Sequence, residues 1–159
     1  DILMALSNKF GWMVLSTGNK TELALGYCTL YGDMSGGLSV ISDLSKTDVY
    51  AMANWINSKY PGRIPKGSID KPPSAELASD QVDPFDYDIV SPLVDLIIEE
   101  GKTIVQLGEL GIDKELVNSV YEKIRISEYK RRQSAPGLRV STKAFGMGRR
   151  FPIVNHFKN

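Results

Sequence analysis

The sequence predicts an α/β protein that is mostly helical and contributes about one strand to a sheet. A short apolar run ends in a glycine turn, and several apolar stripes then follow at helical spacing. No apolar run reaches the roughly 18–20 residues that span a bilayer, so no membrane segment is expected. A strand that leads through a polar turn into a helix is half of an α/β unit, in which ligands bind at the carboxyl end of the strand.

The first elements in the chain carry this prediction. Residues 1–9 suit the end of a helix, so we expect the chain to begin inside an element. Residues 11–16 predict a buried strand, which ends at the turn of residues 17–19. The apolar spacing predicts a helix over residues 20–31, and the glycine-rich segment 32–37 ends it. The two adjacent glycines in that segment predict either a flexible linker or a close approach of two backbones.

The rest of the chain predicts further helices. Ser45, with Asp48 three residues later, has the form of a capping box, and the helix that it starts ends before Pro61. Residues 61–86 hold five of the eight prolines and should be largely irregular. Further helical segments are expected at residues 90–100, 103–110, 113–124 and 127–132, followed by an extended loop over residues 133–159. One strand cannot form a sheet, so we expect the chain to be part of a larger domain.

Composition narrows the function classes. A length of 159 residues fits one domain, and 42% apolar with 24% charged residues argues against a disordered chain. The single Cys28 cannot form an internal disulfide, which favours a reducing compartment, and we expect the cytoplasm. The apolar start of the chain lacks the basic region of a signal peptide. His156 has no second His or Cys near it, so no zinc site is expected.

The formal net charge of zero hides an asymmetry. Residues 1–128 carry 11 basic and 19 acidic side chains, a balance of −8, whereas residues 129–159 carry eight basic side chains and no acidic one. Such sorting indicates an anionic partner or a tail that docks on an acidic body. The run Lys130-Arg131-Arg132 suits nucleic-acid phosphates, so a nucleic-acid-binding or regulatory module is an alternative. Nucleic acid is disfavoured because aromatic residues do not interleave with the basic ones.

Three polar positions suit ligand binding. The turn of residues 17–19 opens a helix whose free N–H groups favour phosphate, and Glu22 suits a metal or a ligand donor; on spacing alone, ordinary helix capping is the favoured explanation of both. Lys46 at the start of a helix opposes the helix dipole, which a bound phosphate would offset, although a solvated lysine costs little. Ser74 either binds a ligand through its hydroxyl or caps a turn.

Four blocks and the tail resemble a known family. The blocks are residues 15–22, 26–34, 71–77 and 128–141 without Ser134, and the tail is residues 144–153. Together they resemble the synthetase domain of the NAD synthetases, particularly the long glutamine-dependent form. The resemblance implies an adenine nucleotide alpha hydrolase-like, Rossmann-like fold. It also implies that residues 1–159 are the C-terminal part of the ammonia-ligase domain. The family's pyrophosphate loop and glutaminase domain are not in this sequence, so we expect the chain to be inactive alone.

The resemblance also implies a reaction in NAD biosynthesis. ATP adenylates the nicotinate carboxylate of deamido-NAD and releases pyrophosphate, and ammonia then displaces AMP to give NAD. In the long form, the ammonia comes from glutamine. The enzyme is a carbon–nitrogen ligase that needs Mg²⁺, which neutralises the ATP phosphates, and no covalent enzyme nucleophile. A homodimer or a higher homo-oligomer is implied as well.

Site residues follow from the resemblance position by position, with none assigned as catalytic. Glu22 is implied to bind both Mg²⁺ and deamido-NAD. Leu30 departs from a lysine in the short, ammonia-using relatives, and Tyr129-Lys130 takes the place of a His-Lys pair in them. The implied ATP-binding residues are Thr17, Lys46 and Ser74, and the implied deamido-NAD-binding residues are Glu22, Tyr27, Thr29, Leu30, Asp33, Tyr129 and Lys130.

Overall fold

Two short strands pair in parallel, β1 (Leu15–Ser16) with β2 (Leu38–Ser39). Leu15 lies opposite Leu38, and Ser16 lies opposite Ser39. The computed structural model describes residues 1–75 and 77–154, so Glu76 and His156 lie outside the described residues. Within that part of the chain the helices are α1 (Ile2–Phe10), α2 (Lys20–Leu25), α3 (Lys46–Lys59), α4 (Lys66–Asp70), α5 (Tyr87–Ile98), α6 (Ile104–Glu109), α7 (Lys114–Ile126) and α8 (Glu128–Arg131).

The second strand corrects the prediction of about one strand. A strand of two residues has no periodicity to read, and β2 forms because the chain before it approaches β1 closely. A Cβ atom on Gly36 would lie 2.9 Å from the backbone nitrogen of Ser16, so only glycine fits there. The N–H of Gly37 donates to the carbonyl of Val14 at 2.8 Å. Close backbone approach is therefore confirmed, and the flexible linker is wrong. The mostly helical α/β class is confirmed.

The helices begin near the predicted positions, but α2 is shorter than expected. It ends at Gly26, whose φ of +67° is left-handed, rather than continuing to residue 31. A Cβ on Gly26 would also collide with the side chain of Ser127, so the chain turns where glycine alone fits. The capping box of Ser45 and Asp48 is confirmed at the start of α3. The segment 61–86 is irregular apart from the short α4, which the sequence analysis missed.

The main core lies between α2, α5, α6 and α7. Its members are aliphatic side chains of these four helices, joined by Phe151 from the C-terminal segment. Burial of one such side chain contributes about 1.5–3 kcal/mol, so this packing fixes α2 and the turn before it. The buried members are Ala24, Leu25, Val90, Leu93, Val94, Ile97, Ile98, Leu107, Val117, Val120, Ile124 and Phe151. Among the described residues, every helix is too short or too polar to cross a membrane.

The C-terminal segment is extended, as predicted, and it lies on the acidic body. Asp43 is buried and accepts three hydrogen bonds of 2.7 Å, from the N–H groups of Val140 and Ser141 and from the Ser141 hydroxyl. The Thr142 hydroxyl donates to Glu99 at 2.6 Å. Gly137 forms a single parallel bridge with Ser39. Of the two explanations for the charge asymmetry, these contacts support the docked tail.

Candidate functional site

A cavity of about 680 Å³ opens where β1 ends, and its volume suits a small-molecule ligand. Its walls come from the turn after β1, from α2 and the turns that follow it, from the start of α3, from the proline-rich segment, and from α8. Eight of the ten predicted site residues line it, although they are spread over more than a hundred positions. They are Thr17, Glu22, Tyr27, Thr29, Asp33, Lys46, Ser74 and Lys130.

The other two predicted residues, Leu30 and Tyr129, do not line the cavity. Leu30 packs against a small apolar cluster that contains Leu23 and Met34. Tyr129 is 44% exposed on α8. Consecutive residues of a helix point about 100° apart, so Lys130 faces the cavity and Tyr129 does not.

Glu22 caps the N-terminus of α2 and also lines the cavity. Its backbone N–H donates to the side chain of Asn19 at 3.0 Å, and its carboxylate accepts from the Asn19 N–H at 3.1 Å. These two bonds form a complete capping box, so the capping explanation of Glu22 is confirmed. The second carboxylate oxygen accepts from Lys46 Nζ at 2.8 Å. Glu22 therefore presents a cation-binding carboxylate to the cavity from a fixed backbone.

Lys46 is held by three elements and is not a solvated lysine. Its backbone N–H donates to the Thr21 hydroxyl at 3.1 Å, which ties the start of α3 to α2. Its ammonium pairs with Glu22 and lies 5.3 Å from the ring centroid of Tyr87, a cation–π distance. Both side chains of the ion pair are 18% exposed. The pair places one positive and one negative group side by side, an arrangement that suits a phosphate together with its metal ion.

Lys130 shapes the opposite wall. Its ammonium donates to the carbonyls of Gly26 and Cys28, each at 2.7 Å, and so fixes the turn after α2. In the same wall, the Thr29 N–H donates to the carboxylate of Asp33 at 2.7 Å. Burial raises the pKa of the Cys28 thiol to about 11, so this cavity residue is a neutral thiol at physiological pH.

Two polar side chains of the cavity in the segment before α5, Gln81 and Asp83, were not predicted from the sequence. Gln81 Nε2 donates to the hydroxyl of Tyr27 at 3.4 Å. The Tyr87 hydroxyl donates to Asp83 Oδ2 at 2.7 Å, and burial together with this carboxylate raises the pKa of Tyr87. Both missed residues lie in the proline-rich segment, where no periodicity shows which side chains turn inward. Only the fold reveals them.

Several basic residues of the described part of the tail bind their own chain. Arg131 is buried and donates to the carbonyls of Leu23 at 3.0 Å and Ala24 at 3.1 Å, while it pairs with Glu128. Arg150 donates to the carbonyl of Gly146 at 2.6 Å. Arg139 donates in the same way to carbonyls two and three residues further on. Arg131 thus ties α8 to α2, whereas Arg139 and Arg150 bind within the tail, and this geometry does not favour the nucleic-acid alternative.

The fold and the cavity together define a ligand-binding α/β protein whose site lies at the carboxyl end of a parallel strand. A family model described as NAD synthase matches residues 1–134 of the chain. The chain therefore belongs to the NAD synthase family.

Individual relatives agree with this assignment. The glutamine-dependent NAD(+) synthetase of Thermotoga maritima is 50% identical over 163 residues, a match that covers 99% of this chain and 28% of that protein. The enzyme of the same name from Acinetobacter baylyi is 49% identical over 162 residues, covering 99% of this chain and 30% of that protein. The crystal structure of a glutamine-dependent NAD(+) synthetase from Cytophaga hutchinsonii matches 98% of this chain and 26% of its own, with a TM-score of 0.76 at 22% identity. That structure supports the fold, and the chain spans less than a third of the curated relatives' length.

Proposed function

We propose that residues 1–159 form the C-terminal part of the ammonia-ligase domain of a glutamine-dependent NAD synthetase. The protein that contains them converts deamido-NAD to NAD with ATP and with ammonia from glutamine, through an adenylated carboxylate. One observation carries the proposal: a single cavity collects eight residues that the family resemblance assigns to the two nucleotide substrates. Among the described residues these eight come from four separate stretches of chain, so the gathering is a product of the fold.

The ATP side of the cavity is the wall formed by Thr17, Lys46 and Ser74. Lys46 meets the phosphates with its ammonium, and Thr17 and Ser74 offer hydroxyls. Glu22 fits Mg²⁺, because this ion is commonly held by one or two carboxylates together with substrate phosphates. Mg²⁺ bound there would neutralise phosphate charge during adenylation. When both bind, Lys46 exchanges its Glu22 partner for phosphate, and Glu22 would then be available to hold the metal.

The deamido-NAD side is the wall formed by Tyr27, Thr29, Asp33 and Lys130. Lys130 fixes the turn of residues 26–28, and its charge faces the dinucleotide. Leu30 and Tyr129 lie outside the lining, so we assign the dinucleotide contacts of their segments to Thr29 and Lys130 instead.

The surface of the N-terminal segment supports an assembled protein. Ile2, Leu3, Trp12 and Met13 are each more than 60% exposed, although all four are apolar. We propose that these side chains are covered in the whole protein, which we take to be a homodimer, since large apolar patches mark contact surfaces. The single cysteine supports a cytoplasmic location, where thiols stay reduced.

To test the proposed function, we would make a chimera in which residues 1–159 replace the matching segment of the Thermotoga maritima relative. We expect this chimera to form NAD from deamido-NAD, ATP and glutamine, and the 159-residue chain alone to form none. Lys130→Ala in the chimera should raise the KM for deamido-NAD about 10-fold or more, because hydrogen bonds to a charged group contribute about 1.5–3 kcal/mol. Steady-state kinetics with each substrate varied in turn give the measurement.

The matched control is Lys66→Ala, since Lys66 is 89% exposed and lies outside the cavity lining. We expect it to leave both KM values unchanged. An inactive chimera that folds normally would contradict the proposed function, whereas equal effects of the two lysine substitutions would contradict the role assigned to Lys130.

A further inference from the structure

One carboxylate oxygen of Asp83 is hydrogen-bonded, and the other has no partner. Its backbone N–H donates to the carbonyl of Pro73 at 2.9 Å, which fixes the main chain. Its Oδ2 accepts from the Tyr87 hydroxyl at 2.7 Å, which fixes the plane of the carboxylate. Its Oδ1 is buried and has no hydrogen-bond partner in the structure. A buried carboxylate oxygen without a donor is unfavourable by about 1–3 kcal/mol or more, so a hydrogen-bond donor placed at this oxygen would be stabilising.

The surroundings of Asp83 show where such a partner comes from. Asp83 lines the 680 Å³ cavity together with Tyr27 and Gln81, and it also borders a smaller cavity of about 490 Å³. The two lysines that line the larger cavity are already engaged, Lys46 with Glu22 and Lys130 with the carbonyls of Gly26 and Cys28. A ligand bound in the cavity can supply the missing donor, because Asp83 is part of the cavity lining.

The chemistry of the substrates identifies the donor. Nucleotides carry ribose rings with adjacent hydroxyl groups, and a carboxylate that accepts from a ribose hydroxyl is a recurring device in dinucleotide sites. We propose that Asp83 is a specificity-determining residue that accepts a hydrogen bond from a ribose hydroxyl of a nucleotide bound in the cavity. This inference rests on the proposed function, and it adds a residue that selects ribonucleotides over deoxyribonucleotides.

Selectivity for ribose over deoxyribose follows from the unpartnered Oδ1 of Asp83. With a ribose hydroxyl present, Oδ1 gains its donor; with a deoxyribose, it stays buried and unpaired. A site built to hydrogen-bond a hydroxyl rejects the analogue that lacks it, because the site's polar group is then left without a partner. We therefore expect a preference of about 10–100-fold in kcat/KM for the hydroxyl-bearing substrate, the ratio that corresponds to a hydrogen bond with a charged group.

The experiment compares Asp83→Ala and Asp83→Asn with the unsubstituted chimera described above. The substrates are ATP, 2′-deoxy-ATP and 3′-deoxy-ATP at saturating deamido-NAD, and then deamido-NAD and its 2′-deoxy and 3′-deoxy analogues at saturating ATP. Asp83→Ala should reduce the ribose preference to less than about 3-fold. Asp83→Asn should keep an intermediate preference, because its amide still accepts from Tyr87 and still offers a hydrogen-bonding group to the hydroxyl. Asp88→Ala is the control, since Asp88 is exposed and lies outside the substrate cavity.

The outcomes separate the possibilities. Loss of preference only in the ATP series identifies the ribose of ATP as the donor, and loss only in the dinucleotide series identifies a ribose of deamido-NAD; either result supports the proposal. Unchanged preference in both series overturns it while leaving the proposed function intact. Equal reduction of the preference by Asp88→Ala and Asp83→Ala also overturns this proposal and leaves the proposed function intact. A folded chimera that uses neither substrate overturns the proposed function and this inference together. Thermal unfolding of each variant confirms that the compared proteins are folded.

Discussion

At the scale of single residues, Lys46 and Glu22 form an ion pair in the lining of the cavity. Each side chain is the other's partner at 2.8 Å, and each is 18% exposed, so solvent screens the pair only in part. An ion pair in this position is stronger than an exposed one but still pays for desolvation. The pair therefore holds one positive and one negative charge next to each other in the cavity wall.

A double-mutant cycle measures this coupling. We expect Lys46→Met and Glu22→Gln to show an interaction free energy of about 1 kcal/mol in the free energy of unfolding, within the range for contacting residues. The control cycle is Lys66→Met with Asp70→Asn, a pair at 3.9 Å on the surface of α4, with no measurable coupling expected. Urea unfolding of the single and double variants supplies both values. Equal coupling in the two cycles would show that the cavity pair gains nothing from its position.

At the scale of elements, the N-terminus of α2 has the strongest influence on the site. Asn19 is 2% exposed and forms a capping box with Glu22, and Thr103 forms the corresponding box with Gln106 at the start of α6. The two boxes have the same bonding pattern, but only the first borders the cavity. They allow the contribution of a cap to stability to be separated from its contribution to ligand binding.

Asn19→Ala should lower the free energy of unfolding by about 1 kcal/mol, as is usual for the loss of an N-cap. Thr103→Ala should lower it by a similar amount. In the chimera, only Asn19→Ala should also raise the KM for ATP, because the box holds the Glu22 carboxylate in place. Chemical unfolding and substrate kinetics on both variants provide the measurement. A similar rise in KM for both variants would mean that general stability, rather than the α2 cap, controls the site.

Some elements could be predicted from local sequence patterns, and others could not. The Ser45 and Asp48 capping box was predictable because both partners lie within one turn of chain. β2 was not, because two residues have no pattern and its pairing depends on the space that Gly36 leaves beside β1. The inward position of Asp83 was hidden for a related reason: its contacts come from the path of an irregular segment.

The site was predictable as a set of residues and not as a geometry. Motif resemblance pointed to eight residues that share the cavity, but it also included Leu30 and Tyr129, whose side chains turn elsewhere. The bonds of Lys130 to Gly26 and Cys28 span more than a hundred positions, so no local pattern reports them.

At the scale of the whole molecule, α8 joins the end of the chain to its beginning. Arg131 is buried against Glu128, and its guanidinium lies 4.6 Å from the ring centroid of Phe145 and 5.8 Å from that of Phe151. Its donors also reach carbonyls of α2 and α7. One side chain thus connects α2, α7, α8 and the C-terminal segment.

Arg131→Ala should lower the free energy of unfolding by about 3–5 kcal/mol, because it leaves the buried Glu128 carboxylate without this partner and frees the carbonyls of α2. Arg125→Ala, which removes a pair with Glu122 on α7 whose carboxylate is half-exposed, should have a much smaller effect. Thermal and urea unfolding of the two variants compare them directly. Comparable losses would show that the buried cluster is not the main connection.

The attachment of the tail should depend on pH through Glu99. Partial burial opposes the shift, but hydrogen bonds from Lys20 and Thr142 outweigh it and lower the pKa of Glu99 below its ordinary value of 4.5. A lowered pKa means that the ionised carboxylate stabilises the folded chain above about pH 4.5 and that this contribution is lost as the pH falls through the folded-state pKa. Wild type should therefore be more stable than Glu99→Gln at pH 7, and the difference should shrink below pH 4.5.

Urea unfolding from pH 7 to pH 3 measures that difference. Glu100→Gln is the control, since Glu100 is 55% exposed and its contact with Lys102 is 3.5 Å long. A constant difference between wild type and Glu99→Gln across this range would exclude Glu99 as the pH-dependent contact.

The two basic residues of α8 bind main-chain atoms, and this has a consequence for sequence change. Lys130 and Arg131 together hold the carbonyls of Leu23, Ala24, Gly26 and Cys28. Every amino acid supplies the same carbonyl, so apart from Gly26, whose φ requires glycine, these positions can exchange side chains without losing the anchor. Glu22 and Lys46 have no such freedom, because each depends on the other's functional group. The anchoring of the cavity wall around Cys28 therefore depends on main-chain carbonyls, and side-chain identity at Leu23, Ala24 and Cys28 is constrained by core packing instead.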